Sequence, residues 1–413
     1  MHILFMSWWW PYPPHNGSKI RIYNLLRQVA KKHEVSLLSF VESGEATDEA
    51  IAHLQSFCVN VETVPKRHYQ PGSMAAMLGY FSRWPRSLIE AYSMEMASRA
   101  STYSMTHGVD LIIGSQLPMV RYLKLVPGIP AILEELEVTG YYEQLENTAG
   151  AARLRRGLTL AKTQKLVQNL LASGVAVTVV SQDEAQYIRK MAPDADRVYV
   201  VPNGVDTETN VPGDDEPQPY TLIYPGAVTY SANYDAVAYF IRQVLPRIQE
   251  RVPQARFTVT GGTGDVNIDD LKNQPGVHFS GYLPSVAAAV RQSWATVVPL
   301  REGGGTRLKI LESMALGTPV VSTAKGAEGL NIQHGENILI ANSPDEMART
   351  ICDLFEDATL RQKLATAGRA LAEKDYNWSA IGRQLIYLIE ETVKGHNNGQ
   401  QSASSSHNSY RIS

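Results

Sequence analysis

The stretch Arg301-Glu302-Gly303-Gly304-Gly305-Thr306-Arg307-Leu308-Lys309-Ile310-Leu311-Glu312-Ser313-Met314-Ala315-Leu316-Gly317-Thr318-Pro319-Val320-Val321 leaves a strand and passes a glycine loop into an amphipathic helix. Gly317 stops that helix, and the next strand follows. Leu308, Ile310, Leu311, Met314 and Ala315 share the side that can face a sheet. Gly303, Gly304 and Gly305, followed by Thr306, let backbone N–H groups approach an anion at the positive end of the helix dipole. Arg307 offers a planar fork for phosphate oxygens and Lys309 a compact charge. Glu312 lies deeper, where a carboxylate can accept hydrogen bonds from vicinal hydroxyls. A diphosphate joined to a ribose suits this set. The competing reading is a capped surface helix with ordinary charges.

The same strand–helix alternation extends in both directions. Short apolar runs near Ile3–Met6, Val35–Phe40, Val59–Val64, Asp110–Gly114, Ala131–Leu136, Val175–Ser181 and Val198–Val201 read as strands. So do Thr221–Pro225, Arg256–Thr260, Val277–Ser280, Ala295–Pro299, Pro319–Ser322 and Asn337–Ile340. Continuous Val/Ile runs suit strands covered on both faces, and helices between them imply parallel sheets. The chain therefore reads as α/β, with two doubly wound lobes whose ligand crevices lie at the carboxyl ends of the strands. Turn residues Pro202-Asn203-Gly204 and the polar run to Pro219 mark the boundary. The expected division is 1–201, 202–370, closing helices over 371–393 that cross back to the first lobe, and a disordered polar tail over 394–413.

The 413 residues carry a net charge of −3, which gives no global basic field for nucleic acid. Two distant cysteines, Cys58 and Cys352, make neither a disulfide framework nor a metal cluster, and fit a reducing cytoplasm. No apolar run reaches the roughly 20 residues of a spanning helix, and the N-terminus lacks the features of a signal peptide. There is no Walker A lysine loop, no G-x-G-x-x-G after the first strand, no H-E-x-x-H, no C-x-x-C and no G-x-S-x-G. After the first strand, Trp8-Trp9-Trp10 offers indole faces for a sugar or for the core. Asn16-Gly17 opens the first helix, either as an anion site or as an ordinary turn. Arg153, Arg155, Arg156, Lys162 and Lys165 form a basic helix face, either solvated or facing anionic lipid.

In order and spacing these segments resemble glycosyltransferase family 4, of the subgroup with a GGGTRLKILE block, over roughly residues 2–390. The matching segments include Pro11-Tyr12-Pro13-Pro14 with Gly17, Pro202-Asn203-Gly204-Val205-Asp206, Gly226 with Asn233-Tyr234-Asp235-Ala236, Val259-Thr260-Gly261-Gly262 and Phe279-Ser280-Gly281-Tyr282. The resemblance implies the GT-B fold: two Rossmann-like domains facing across a cleft, the first for the acceptor and the second for a nucleotide diphosphate sugar. It implies a retaining transfer to an acceptor hydroxyl in bacterial surface polysaccharide or glycoconjugate synthesis. It places Glu312 on the ribose, Arg307 and Lys309 at the diphosphate, Gly17 opposite the phosphates, and Gly261, Gly262 and Tyr282 near the base. No metal and no cofactor are implied. The expected partners are the nucleotide sugar and a glycan or lipid-linked acceptor. The expected location is cytoplasmic, with peripheral contact at the inner face of the membrane.

The sequence departs from the family pattern at three places. Gly304 stands where the first glutamate of E-x7-E falls, with Glu302 two residues upstream. The loop from Gly226 to Asn233 lacks the usual Arg and Lys. The first-lobe histidine is replaced by Leu133-Glu134-Glu135-Leu136-Glu137, where Glu134 or Glu137 would orient the acceptor or the reacting sugar. Two other readings of the same architecture are a sugar-nucleotide 2-epimerase and a non-catalytic nucleotide-sugar binder.

Overall fold

The structure is a computed structural model that describes residues 1–66, 77, 79–146, 148–193, 195–213, 216–303 and 307–408, the side chains of 90 and 399–408 excepted. It divides into two units. The first holds Met1–Pro202 and the chain from Ile381 onward, and the second holds Asn203–Ala380.

The first unit is built on strands β1 (His2–Ser7), β2 (Glu34–Val41), β3 (Asn60–Pro65), β4 (Leu111–Ser115), β5 (Ala131–Glu134), β6 (Ala176–Val179) and β7 (Val198–Val200). All pair in parallel, in the order β3-β2-β1-β4-β5-β6-β7. Ile3, Leu4, Phe5 and Met6 are each at most 1% exposed, which explains why the run is continuously apolar rather than alternating. The chain order reverses between β1 and β4, so the crevice beyond their carboxyl ends is where such a sheet receives a ligand.

The second unit repeats the plan with β8 (Gln218–Tyr224), β9 (Arg256–Thr260), β10 (Val277–Gly281), β11 (Ser293–Val298), β12 (Val320–Ser322) and β13 (Leu339–Ile340). Their order is β10-β9-β8-β11-β12-β13, all parallel, with the reversal between β8 and β11.

The end of the chain differs from expectation at one boundary. Return to the first unit begins at Ile381, not at 371. The helix Ala358–Asp375 stays with the second unit because Gly368 lets it lie on the helix Leu308–Ala315, with Met314 Cγ 3.2 Å from where a Cβ would stand. Tyr376 then fastens it: its hydroxyl accepts from Asn331 N (2.7 Å) and its carbonyl from Val205 N (2.7 Å). The last helix starts at Trp378 and runs through Asn408. Ile381, Leu385, Leu388 and Ile389 form its buried stripe, and Gly382 packs against Gln28 of the helix Gly17–Ala30.

Candidate functional site

In the second unit, the helix Leu308–Ala315 begins just beyond the reversal point. Ile310, Leu311, Met314 and Ala315 are at most 1% exposed and anchor it to the sheet. That anchoring turns Lys309 and Glu312, one turn apart, away from the core. Lys309 Nζ donates to the Tyr224 hydroxyl at the end of β8 (2.7 Å) and to Asn233 Oδ1 (3.2 Å). It also stands 3.9 Å from the centre of the Tyr224 ring. Tyr224 donates to the same Asn233 oxygen (2.6 Å), and Asn233 Nδ2 donates to Ala227 O (2.7 Å). The lysine is thus held by neutral groups, and no carboxylate among the described residues is in direct contact with it. Burial and the Arg307 charge push its pKa down to about 7, against the pull of Glu312.

The half-buried Glu312 carboxylate accepts no hydrogen bond from any described residue. Burial raises its pKa, and Lys309 draws it part of the way back. Arg307 Nη2 donates to Gly303 O (2.5 Å) and so ties down the start of the glycine loop. Gly303 has φ +94°, a conformation glycine adopts freely. The expectations for Gly304, Gly305 and Thr306 lie outside the described residues.

Gly226 belongs to this site for a steric reason: a Cβ there would stand 2.9 Å from Lys309 Nζ. Gly261, at φ +89°, brings the end of β9 against the β8 loop, where a Cβ would meet Ala227 N at 2.8 Å. Gly262 is exposed, and Tyr282 is 87% exposed after β10. Arg301 is committed elsewhere: it forks onto Asp235 and stacks over Tyr239, with its guanidinium 4.7 Å from the ring centre.

In the first unit the acidic run divides sharply. Glu134, register partner of Ser115, is fully buried. Its carboxylate takes Arg21 Nε (2.7 Å) on one oxygen and Ser115 Oγ (2.8 Å) on the other. Arg21, also fully buried, further donates to Pro202 O and Val201 O. Glu134 therefore serves an internal ion pair, out of reach of a ligand in this conformation. Glu137 is exposed. Between them stands Glu135, 7% exposed and in the left-handed region at φ 57°, a residue that sequence reasoning passed over. Its Oε2 accepts from Gln116 Nε2 (2.9 Å). Burial, reinforced by Glu134 and Glu137 and opposed by Arg21 and Gln116, pushes its pKa up to about 8.

Gly17 is exposed at the start of the helix Gly17–Ala30, whose cap Asn16 accepts from Lys19 N (3.0 Å). The tryptophans are largely spent on packing. Trp10 is fully buried, and Lys66 lies 3.4 Å over Trp9 and 4.9 Å over Trp8. On the helix Gly150–Ala172, Arg153, Arg155 and Lys165 are exposed, while Lys162 donates to Gly79 O and Tyr80 O. No helix among the described residues is long and apolar enough to cross a membrane. Among the described residues, no group of three His, Cys, Asp or Glu side chains is placed to hold a metal ion.

Comparison with known proteins agrees with this architecture. The family described as Glycosyltransferase Family 4 matches residues 15–209, and Glycosyl transferases group 1 matches residues 219–357. A D-inositol 3-phosphate glycosyltransferase of Frankia alni is 28% identical over 249 residues, 53% of this chain and 59% of that protein. An uncharacterized 44.6 kDa protein in the cps region of Klebsiella pneumoniae is 20% identical over 164 residues, 38% of this chain and 42% of that protein. The chain thus spans only about a fifth to three fifths of the length of the curated relatives it matches. The crystal structure of Anabaena HepE in complex with UDP superposes with TM-score 0.66 at 15% identity, covering 95% of this chain and 100% of that one. The fold is GT-B, with two Rossmann-like parallel-sheet domains. The chain belongs to glycosyltransferase family 4.

Proposed function

We propose that the chain is a retaining glycosyltransferase that moves a sugar from a nucleoside diphosphate sugar to an acceptor hydroxyl. The observation carrying this reading is the Lys309–Glu312 pair at the β8/β11 reversal: among the described residues, the cation has no carboxylate in contact and the carboxylate has no hydrogen-bond donor. A diphosphate completes the first, and ribose hydroxyls complete the second.

The chemistry asked of the protein is support for a leaving group. The bond from the anomeric carbon to the β-phosphate oxygen breaks, the acceptor oxygen bonds to the same face of that carbon, and the acceptor proton passes to the departing phosphate. Lys309, Arg307 and the start of the helix Leu308–Ala315 neutralise the charge that develops on the diphosphate. Gly226 leaves room for the lysine head, and Gly261, Gly262 and Tyr282 lie along the rim suited to the base. Gly17 starts the first-unit helix whose positive end suits a phosphate. The first unit binds the acceptor. Two comparisons support a glycan or polyol acceptor in surface polysaccharide or glycoconjugate synthesis: the relative named for inositol 3-phosphate and the protein from a cps region. The basic face of the helix Gly150–Ala172 suits a lipid-linked acceptor at the cytoplasmic side of a membrane.

The test is thermal stabilisation of the purified chain by UDP, GDP, ADP, CMP and their sugars, repeated with Glu312→Ala and Arg307→Ala. A hit lost in both variants supports the donor site and identifies the base. Well-folded protein that no nucleotide stabilises refutes it. Product analysis of a hit separates transfer from epimerisation without acceptor.

A further inference from the structure

Among the described residues, three non-glycine residues have φ in the left-handed region: Gln116 (74°), Glu135 (57°) and Tyr220 (59°). L side chains adopt this region at a cost, and such residues gather at functional sites. Two of the three are bonded to each other. Gln116 follows β4 directly and Glu135 follows β5, and their side chains meet at 2.9 Å. Gln116 N also donates to Glu134 O (2.7 Å), which holds the two strand ends together.

The Gln116 amide makes a second bond, to Ser18 Oγ (3.0 Å) in the first turn of the helix Gly17–Ala30. That helix follows β1, so a chain Ser18–Gln116–Glu135 spans the ends of β1, β4 and β5. This is the reversal point of the first sheet, where open α/β sheets receive ligands. Arg21 and Glu134 lie beneath it as a rigid floor. Only one Glu135 oxygen accepts a hydrogen bond from a described residue: Oε1 stands 3.8 Å from Arg21 Nε, an ion-pair distance too long for a hydrogen bond.

We propose that Glu135 binds a hydroxyl of the acceptor, a sugar or polyol, through Oε1, and that Gln116 is the positioning residue that aims it. The assignment rests on the transferase reading. Lys309 and Glu312, the principal determinants for diphosphate and ribose, lie in the second unit, which leaves the Glu135 carboxylate of the first unit for the acceptor. The Glu135 backbone is paired by Thr178, whose hydroxyl accepts Glu135 N (3.1 Å) and whose carbonyl accepts Leu136 N (2.9 Å). The carboxyl therefore sits on a fixed support rather than a loose loop.

The test uses the full chain carrying 13C at its glutamate side-chain carboxyls, with the Glu135 signal identified by its loss in Glu135→Gln. Methyl α-glycosides of glucose, galactose, mannose and N-acetylglucosamine, together with myo-inositol, are the hydroxyl probes; UDP and GDP are the donor-side probes. At least one hydroxyl probe should shift the Glu135 signal. Gln116→Gly removes the side chain while suiting the left-handed backbone, and should weaken that probe about 10- to 100-fold without altering nucleotide binding. Protein that binds nucleotide but whose Glu135 signal no hydroxyl probe moves overturns the proposal. So does a probe whose affinity is unchanged in Gln116→Gly, or a Glu135→Gln variant that loses nucleotide affinity and keeps the probe's. Failure of nucleotide binding in the wild type refutes the donor reading instead, and the Glu135 signal is read independently of it.

Discussion

Replacing Glu134 by alanine tests whether the acidic run is divided as described. Arg21 and Glu134 are both fully buried, and their charged atoms approach to 2.5 Å. Without Glu134 the guanidinium keeps the carbonyls of Val201 and Pro202 but loses its close counter-charge, with Glu135 at 3.8 Å the next carboxylate. Breaking a buried pair from one side costs about 3–5 kcal/mol, or roughly two to four powers of ten in the folded-to-unfolded ratio of the first unit. Replacing both partners, as Arg21→Met with Glu134→Leu, should recover most of that loss, because neither side then leaves a buried charge. Urea unfolding followed by tryptophan fluorescence reads the effect, since Trp8, Trp9, Trp10 and Trp84 all belong to the first unit. The second unit's transition should stay in place. A loss below about 1 kcal/mol in the alanine variant, with sugar transfer abolished, would refute the structural role and return Glu134 to the substrate.

Lys309, with a pKa near 7, is about nine-tenths neutral at pH 8, so binding of UDP or GDP should take up close to one proton there and few at pH 6. Calorimetry in two buffers of different ionisation enthalpy measures this, and Lys309→Met should abolish it. Because the unfolded lysine keeps its ordinary pKa, the unfolded state holds the extra proton between about pH 7 and about pH 10. Lys309 therefore makes stability rise with pH across that window, a slope that should be missing in Lys309→Met unfolding curves. Glu312→Gln should weaken the ribonucleotide about tenfold and leave its 2′,3′-dideoxy analogue unchanged, as read by competition binding. Gly261→Ala should destabilise the second unit by more than about 1 kcal/mol, because both its φ of +89° and the Ala227 backbone oppose a Cβ; the second unfolding transition reports it.

Central strands such as β1 were legible because burial on both faces leaves an unbroken apolar run, and each expected run has its strand. The helix Leu308–Ala315 was legible from its apolar stripe. The partners of its charges were not, because Tyr224 lies 85 residues from Lys309 and nothing local announces the pairing. Similarly, Asp235 occupies Arg301 from 66 residues away. The acidic run shows a finer limit. One residue separates the inward Glu134 from Glu135, and a left-handed backbone is readable from sequence at glycines but not at glutamate.

A lysine hydrogen-bonded to a tyrosine and an asparagine has a chemical consequence beyond binding. An amine that is about half unprotonated at neutral pH is a nucleophile, while ordinary surface lysines remain ammonium ions. Lys309 should therefore be the amine that mild aldehydes or acylating reagents modify first near pH 7.5. A bound nucleotide, by restoring its proton, should shield it, so this one side chain can report occupancy of the site by mass spectrometry before any sugar or acceptor is identified.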